Sequence, residues 1–154
     1  MKEVLMSIKP KFVDKIFDGT KKWEFRKTDF KNQVKRVYIY ATAPVQKVVG
    51  YMMFDGIINE NIKTLWKKCK EESGISETEF YNYFFDYEIG YAHHINYAVK
   101  YEKPIDPKTL NDFVAPQSWY YIQNESNIAK AVFDKFVEEE FEQACKFKQL
   151  CRCD

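Results

Sequence analysis

The chain has few of the residues that mark common active sites. Its only histidines are His93 and His94, and it has no Ser-His-Asp arrangement and no nucleophile elbow. Neighbouring residues in a strand face opposite ways, so these two histidines are not expected to share a metal ion. A surface or core position is expected for each. The commonest hydrolase and zinc-enzyme patterns are therefore excluded.

Cysteines are also few and unpaired. None of the four, Cys69, Cys145, Cys151 and Cys153, forms a Cys-x-x-Cys pair. In a reducing compartment the default state is the free thiol. The last three could hold a metal ion only with a fourth ligand, which the sequence does not supply. We therefore predict neither a metal nor another cofactor.

Long apolar runs are absent. No run approaches the length of a membrane span, and residues 1–4 lack the apolar segment of a signal peptide. We therefore expect a cytoplasmic protein without a membrane partner. There is no repeat, low-complexity tract or linker. The 154 residues predict one domain over residues 1–145 and a frayed tail over residues 146–154.

Aromatic residues and an uneven charge distribution are present instead. Aromatic side chains make up 18% of the chain, enough to build a core or to stack on a ligand. Residues 1–50 carry 12 Lys and Arg against 5 Asp and Glu, whereas residues 51–154 carry 12 against 18. One basic face would suit an anionic ligand. A solvated lysine-rich surface would explain the charge bias alone equally well.

Strand and helix patterns predict an α+β fold. Helices are inserted between short strands rather than alternating with them, which favours a small mixed β-barrel of five or six strands decorated by helices. A helix over residues 10–17 ends at Gly19, and a capping box at Ser76 begins another. The predicted strands cover residues 3–8, 21–26, 36–42, 47–58, 92–99 and 116–122.

The last helix begins after Ser126, a suitable cap. Its apolar stripe, which we expect in the core, contains Ala129, Val132, Phe133, Phe136, Val137 and Phe141. Its acidic run over residues 138–142 would repel nucleic acid, so we expect nucleic acid to approach from the lysine-rich first third. A dimer contact through this helix is a weaker alternative, and we predict a monomer or a weak dimer.

Residues 19–26 concentrate charge in an apolar surrounding. In a regular strand Lys22, Glu24 and Arg26 share one face, and Lys21 lies on the other. Lys21 can therefore join Glu24 and Arg26 only if it lies in a turn or if the strand has a bulge. Pairing of Glu24 with Arg26 on a solvated face is the structural alternative to a binding site.

The sequence resembles the ASCH domain family, a branch of the PUA-like fold. Three pieces carry the resemblance, and together they extend over roughly residues 3–122. The Gly-x-Lys-x-x-Glu-x-Arg spacing is a modest signal alone and fairly specific in order with the other two pieces. The pieces are residues 7–10 leading into a helix, the signature at Gly19, Lys21, Glu24 and Arg26, and the pair formed by residues 39–44 and 116–119.

The resemblance implies a PUA-like barrel with a cleft lined by the signature. It also implies binding of RNA or another nucleic acid, and a regulatory role in some members. One branch hydrolyses N4-acetylcytidine with a lysine, a threonine and a glutamate, and some relatives are described as ribonucleases. Lys21 matches the lysine of that branch, but Glu24 stands where its threonine is expected. The catalytic triad is thus not reproduced, which favours binding over catalysis.

We therefore predict a protein that binds RNA, other single-stranded nucleic acid or a nucleotide in this cleft. Trp23, Tyr38, Tyr40 or Trp119 could stack on a base. The alternative is a small hydrolase acting on an acylated nucleoside or on RNA, in which Lys21 would be the base or nucleophile and Glu24 would pass protons. The predicted ligand-binding residues are Ser7, Lys9, Lys21, Glu24, Arg26, Thr42, Gln117, Ser118 and Trp119.

Overall fold

The computed structural model describes residues 1–150, which form six strands and four α-helices. The strands are β1 (Lys2–Ile8), β2 (Trp23–Arg26), β3 (Val34–Ala41), β4 (Lys47–Asn61), β5 (Ile89–Ile105) and β6 (Trp119–Tyr121). The helices are α1 (Pro10–Phe17), α2 (Ile62–Cys69), α3 (Glu77–Tyr83) and α4 (Asn127–Leu150). None of the helices in residues 1–150 is long and apolar enough to cross a membrane.

All six strands belong to one sheet, in the order β2-β5-β4-β3-β1-β6. β1 and β3 run parallel, and the other neighbours run antiparallel. The long pair β4 and β5 has irregular register near Gly50 and Gly56, and glycine within a strand often marks such a bulge. The sheet curls into a half-barrel, and the prediction of a small mixed barrel with helices and a C-terminal helix is confirmed.

The strict alternation of β1 and β3 gives the sheet two apolar faces. Val4 and Met6 contribute to one core cluster with α1, whereas Leu5, between them, contributes to a second cluster with α4. A third cluster packs α2 and α3 against Phe25 and includes the fully buried Phe80. Because α2 and α3 pack against this cluster, the two helices lie beside β2 and the charged segment of residues 19–26.

The largest differences from the predicted strand lengths are in β5 and β6. β5 continues to Ile105 and includes Pro104, although the predicted strand ends at residue 99. The reason is the long antiparallel pairing with β4, which extends to Ile105 opposite Val48. β6 has only three residues, because the chain bends at residues 117–118, immediately before the strand.

The core position predicted for the stripe on α4 is wrong for its outer members. Ser126 caps the helix through its Oγ, as predicted, and Val132 is buried. Phe133 and Phe141, however, are 65% and 70% exposed. A helix of 24 residues is about 36 Å long, and only its first half lies on the sheet. The helix reaches Leu150; the frayed tail over residues 146–154 stays a prediction, and Cys151 and Cys153 lie outside the described residues.

Candidate functional site

A cleft of about 740 Å3 lies at one end of the half-barrel. Its walls come from the ends of β1 and β3, the start of α1, strand β2, the loop before β6, and α3 with the loop that precedes it. Eight of the nine residues predicted to bind ligand lie on these walls, namely Ser7, Lys9, Lys21, Glu24, Arg26, Thr42, Gln117 and Ser118. The topology thus brings together residues that are up to 111 positions apart.

Lys21 reaches the cleft because it lies before β2 and not within it. Its backbone N–H donates to Lys15 O at the end of α1, at 2.9 Å. The geometric condition for Lys21 to join Glu24 and Arg26 is therefore met by a turn. The buried ammonium donates to Trp23 O at 2.6 Å and to Ser73 O at 2.9 Å. Its Nζ lies 3.9 Å from Oε2 of Glu24.

Glu24 and Arg26 lie on the same face of β2, as strand periodicity predicts. Arg26 Nη2 donates to Glu24 Oε1 at 2.7 Å, and Nη1 donates to Ser118 Oγ at 3.0 Å. All three charged side chains are buried. The Nε of Arg26 is also buried and has no hydrogen-bond partner within residues 1–150. Lys21, Glu24 and Arg26 therefore form a charged triad in the wall of the cleft.

The loop before β6 is fixed by β1. Ser7 Oγ donates to Pro116 O at 2.6 Å, and the backbone N–H of Ser7 donates to Ser118 O at 2.9 Å. These two bonds hold Ser118 where its hydroxyl accepts from Arg26. Residues 7–10 and 116–119, which both resemble motifs of one family, therefore contact each other directly.

Burial and the neighbouring charges shift the pKa of Lys21 in opposite directions. Burial lowers the pKa of Lys21, and Arg26 adds to that effect, while Glu24 opposes it. Four basic side chains line the cleft against two carboxylates: Lys9, Lys21, Arg26 and Lys27 against Glu24 and Glu79. Glu79 is itself paired with Lys11 outside the cleft lining. The lining of the cleft therefore carries an excess of positive charge.

Gly74 allows the loop before α3 to approach Lys21. Its φ is +66°, and a Cβ built on it would lie 2.5 Å from Lys21 Cβ. The preceding carbonyl, Ser73 O, is one of the two acceptors of the Lys21 ammonium. A larger residue at position 74 would therefore press on Lys21 and disturb the triad.

The aromatic residues predicted to stack on a base lie elsewhere. Trp119 packs against Phe30 and Tyr121 beside the first core cluster, and it does not line the cleft. Tyr38 and Tyr40 are buried in the second cluster, and Trp23 packs against the third. The cause is the same for all of them: their strand positions point into packed layers.

Eight cleft residues are missing from the sequence prediction, and three of them belong to α3. Tyr83 is the most informative, since a helical residue three positions after the buried Phe80 is expected on the side that faces the core. Helical periodicity gives an inner face, but it does not say that this face borders a cleft. Lys27 directly follows β2 and lies outside the predicted strand over residues 21–26. The eight are Ile8, Phe12, Phe25, Lys27, Ile75, Glu79, Asn82 and Tyr83.

Neither histidine lines the cleft. His93, opposite Glu24 in the strand register, is buried, and its ring stacks on Phe54 at 4.8 Å. Its Nε2 lies 3.5 Å from Oδ1 of Asp29. Burial lowers the pKa of His93, and Asp29 opposes the effect. No group of His, Cys, Asp and Glu side chains within residues 1–150 is arranged to hold a metal ion.

The fold and the cleft thus define a small α+β domain with a basic, ligand-sized site built around a buried Lys-Glu-Arg triad. The family model of the ASCH domain matches residues 6–106. The chain belongs to the ASCH domain family.

Relatives of known structure or curated sequence agree with this assignment. The chain is 30% identical over 132 residues to an ASCH domain-containing ribonuclease of Zymomonas mobilis, with 80% of this chain and 86% of that protein covered. The crystal structure of ASCH from Zymomonas mobilis superimposes with a TM-score of 0.75 at 28% identity, covering 89% of this chain and 94% of that one. A large ribosomal subunit protein uL22 of Ureaplasma parvum is 31% identical over 121 residues, but this covers only 39% of that longer protein.

Proposed function

We propose that the chain binds single-stranded RNA and holds one nucleotide in the cleft, with a phosphate on Arg26. One observation carries the proposal: the guanidinium is oriented by Glu24 and Ser118 in a positively charged cleft. A planar guanidinium suits phosphate oxygens because it offers several donors in one plane. Each terminal nitrogen of Arg26 uses one hydrogen for these bonds within the described residues, which leaves a second for a ligand.

The size and charge of the cleft support a nucleotide. Its volume of about 740 Å3 lies within the range of small-molecule sites, roughly 300–1,000 Å3. Oε2 of Glu24, which is 3.9 Å from the Lys21 amine, can accept from a base amino group, as carboxylates do with cytosine. The ribonuclease name of the Zymomonas mobilis relative supports RNA as the class of nucleic acid.

Cleavage of RNA is the second candidate function. The observation in its favour is the buried Lys21 amine, whose pKa is lowered by burial and which lies beside a carboxylate. The neutral form of the amine, whose share the lowered pKa increases, can remove the proton of a ribose 2′-hydroxyl, and the resulting oxygen can attack the adjacent phosphorus. A 2′,3′-cyclic phosphate then forms, the bond to the 5′ oxygen breaks, and that oxygen leaves with the proton that Lys21 took up. Arg26 would then stabilise the added charge on the phosphate. Hydrolysis of an acylated nucleoside stays a prediction, tested by chromatography after incubation with N4-acetylcytidine.

Fluorescence anisotropy with labelled single-stranded RNA tests the binding function. Arg26→Lys keeps the charge and removes the planar fork, so we expect at least about tenfold weaker binding. Arg36→Lys is the matched control, because Arg36 pairs with Glu3 and is not among the residues that line the cleft. We expect it to bind RNA like the wild type. The proposal would be contradicted if Arg26→Lys bound RNA as tightly as Arg36→Lys and the wild type do. It would also be contradicted if the wild type bound no RNA.

The cleavage candidate is tested with the same RNA on a denaturing gel. Lys21→Met removes the amine and keeps the length of the side chain, so we expect loss of cleavage, with RNA binding weakened less than in Arg26→Lys. Thermal unfolding of the variant must show that it folds. Absence of product from the wild type at enzyme concentrations equal to the RNA would count against cleavage and leave binding intact. A cytoplasmic location and a monomeric or weakly dimeric state stay predictions.

A further inference from the structure

Two exposed tyrosines and a lysine lie next to the cleft. Lys27 follows β2 directly, and its Nζ lies 4.9 Å from the ring centroid of Tyr83 and 5.0 Å from that of Tyr87. The lysine is partly buried, whereas the tyrosines are 37% and 45% exposed. Each ring therefore offers surface to a ligand while a cation lies close to both.

The rings are held in place by the third core cluster. The ring of Tyr83 packs edge-on against the buried Phe84, with centroids 4.8 Å apart. The backbone N–H of Tyr87 donates to Phe84 O at 2.9 Å, which fixes the turn that carries the second tyrosine. A platform ordered in advance costs less entropy on binding than a mobile side chain does.

This cluster continues the cleft. Lys27 and Tyr83 line the cleft, and Tyr87 does not, so Tyr87 is the next aromatic surface beyond its rim. A phosphate leaving a nucleotide in the cleft would pass Lys27, and the following base would reach Tyr87. The order of the cleft, Lys27 and Tyr87 therefore suits a nucleic-acid strand, in which phosphates alternate with flat bases.

We propose that Lys27, Tyr83 and Tyr87 form a second nucleotide subsite, which takes the linking phosphate on Lys27 and the neighbouring base on the ring of Tyr87. The inference rests on the proposed function of the cleft and adds that a second, neighbouring nucleotide of the RNA strand contacts the protein. Stacking on aromatic side chains tolerates every base, because each has a π-face. The cation between the rings favours this anionic, aromatic ligand over an apolar protein surface.

Calorimetric titration with the four mononucleotides and the four homotrinucleotides of RNA tests the subsite. We expect wild-type protein to bind trinucleotides about tenfold more tightly than mononucleotides, the gain typical of one stacked base. Tyr87→Ala should remove most of this gain, and Tyr87→Phe should keep it. Phe85→Ala is the matched control, because Phe85 lies on the same turn, is 75% exposed and does not line the cleft. It should keep the full gain.

The outcomes separate the subsite from the cleft. If wild-type protein binds trinucleotides no more tightly than mononucleotides, the subsite is wrong and binding in the cleft stands. The same conclusion follows if Tyr87→Ala still binds trinucleotides more tightly than mononucleotides, as the wild type does. It also follows if Phe85→Ala loses as much of this gain in affinity as Tyr87→Ala. In either case, a protein partner would be the better assignment for this surface. If no mononucleotide or trinucleotide binds, the proposed function of the cleft fails, and the subsite fails with it.

Discussion

Lys21 and Glu24 are expected to be strongly coupled in a double-mutant cycle, since both charges are buried. The perturbations are Lys21→Met, which keeps the length of the side chain, and Glu24→Gln, which keeps its shape. Glu24→Gln alone leaves two buried cations, Lys21 and Arg26, without an anion. Lys21→Met alone leaves Ser73 O and Trp23 O without their donor, a cost that the double variant also bears and that cancels in the cycle.

The size of the coupling follows from the distance. Unit charges 3.9 Å apart attract each other by about 4 kcal/mol at an effective dielectric constant of about 20. Water that enters around the altered side chains screens part of this attraction, so we expect a coupling free energy of about 2–3 kcal/mol. That is a large share of a total stability of about 5–15 kcal/mol.

Urea unfolding at pH 7 measures the four free energies of unfolding. The control cycle uses Lys68→Met and Glu60→Gln, a pair whose N···O distance is only 2.8 Å but whose side chains are 49% and 36% exposed. We expect a coupling below about 1 kcal/mol there, because solvent screens the exposed pair. A coupling for Lys21 and Glu24 no larger than that of the control would refute the reasoning that burial decides the interaction.

Three further predictions follow from the same structure. Gly74→Ala should lower the free energy of unfolding by about 2–4 kcal/mol in urea unfolding, because its Cβ would press on Lys21 at a left-handed backbone position; an unchanged midpoint would contradict this. Because burial lowers the pKa of His93 in the folded protein, the unfolded chain binds more protons below pH 6.5. Stability should therefore fall as the pH decreases from 6.5, and less steeply in His93→Phe; parallel curves from thermal unfolding would exclude this cause. Phe80→Ala should cost about 3–5 kcal/mol in urea, since Phe80 is the fully buried centre of the cluster beneath α2 and α3; a loss below about 1 kcal/mol would show that α3 does not depend on it.

The placement of the triad illustrates how far sequence reasoning reaches. Strand periodicity places Glu24 and Arg26 on one face without any tertiary information. The same periodicity places Lys21 on the opposite face, and only the turn between α1 and β2 reverses that. The turn is held by a bond to Lys15 O and by the approach of Gly74, partners 6 and 53 positions away. No local pattern contains such contacts.

The aromatic residues show the opposite limit. The sequence shows that rings are abundant, and Trp119, Tyr38 and Tyr40 are among those predicted as able to stack on a base. Which ring is exposed depends on the layers that cover each face of the sheet. Those layers bury these three rings fully or in part and leave Tyr83 at the rim of the cleft.

The sequence by itself determined the order of strands and helices, the shared face of Glu24 and Arg26, and the family signature, because these depend on local periodicity and spacing. The tertiary structure decided that Lys21 joins the other two charges, that α3 supplies a wall of the cleft, and that the outer stripe of α4 is solvent-exposed. These features depend on burial and on contacts between residues distant in the chain. Burial also makes the charges strong, since the same three side chains on a solvated strand would be screened by water.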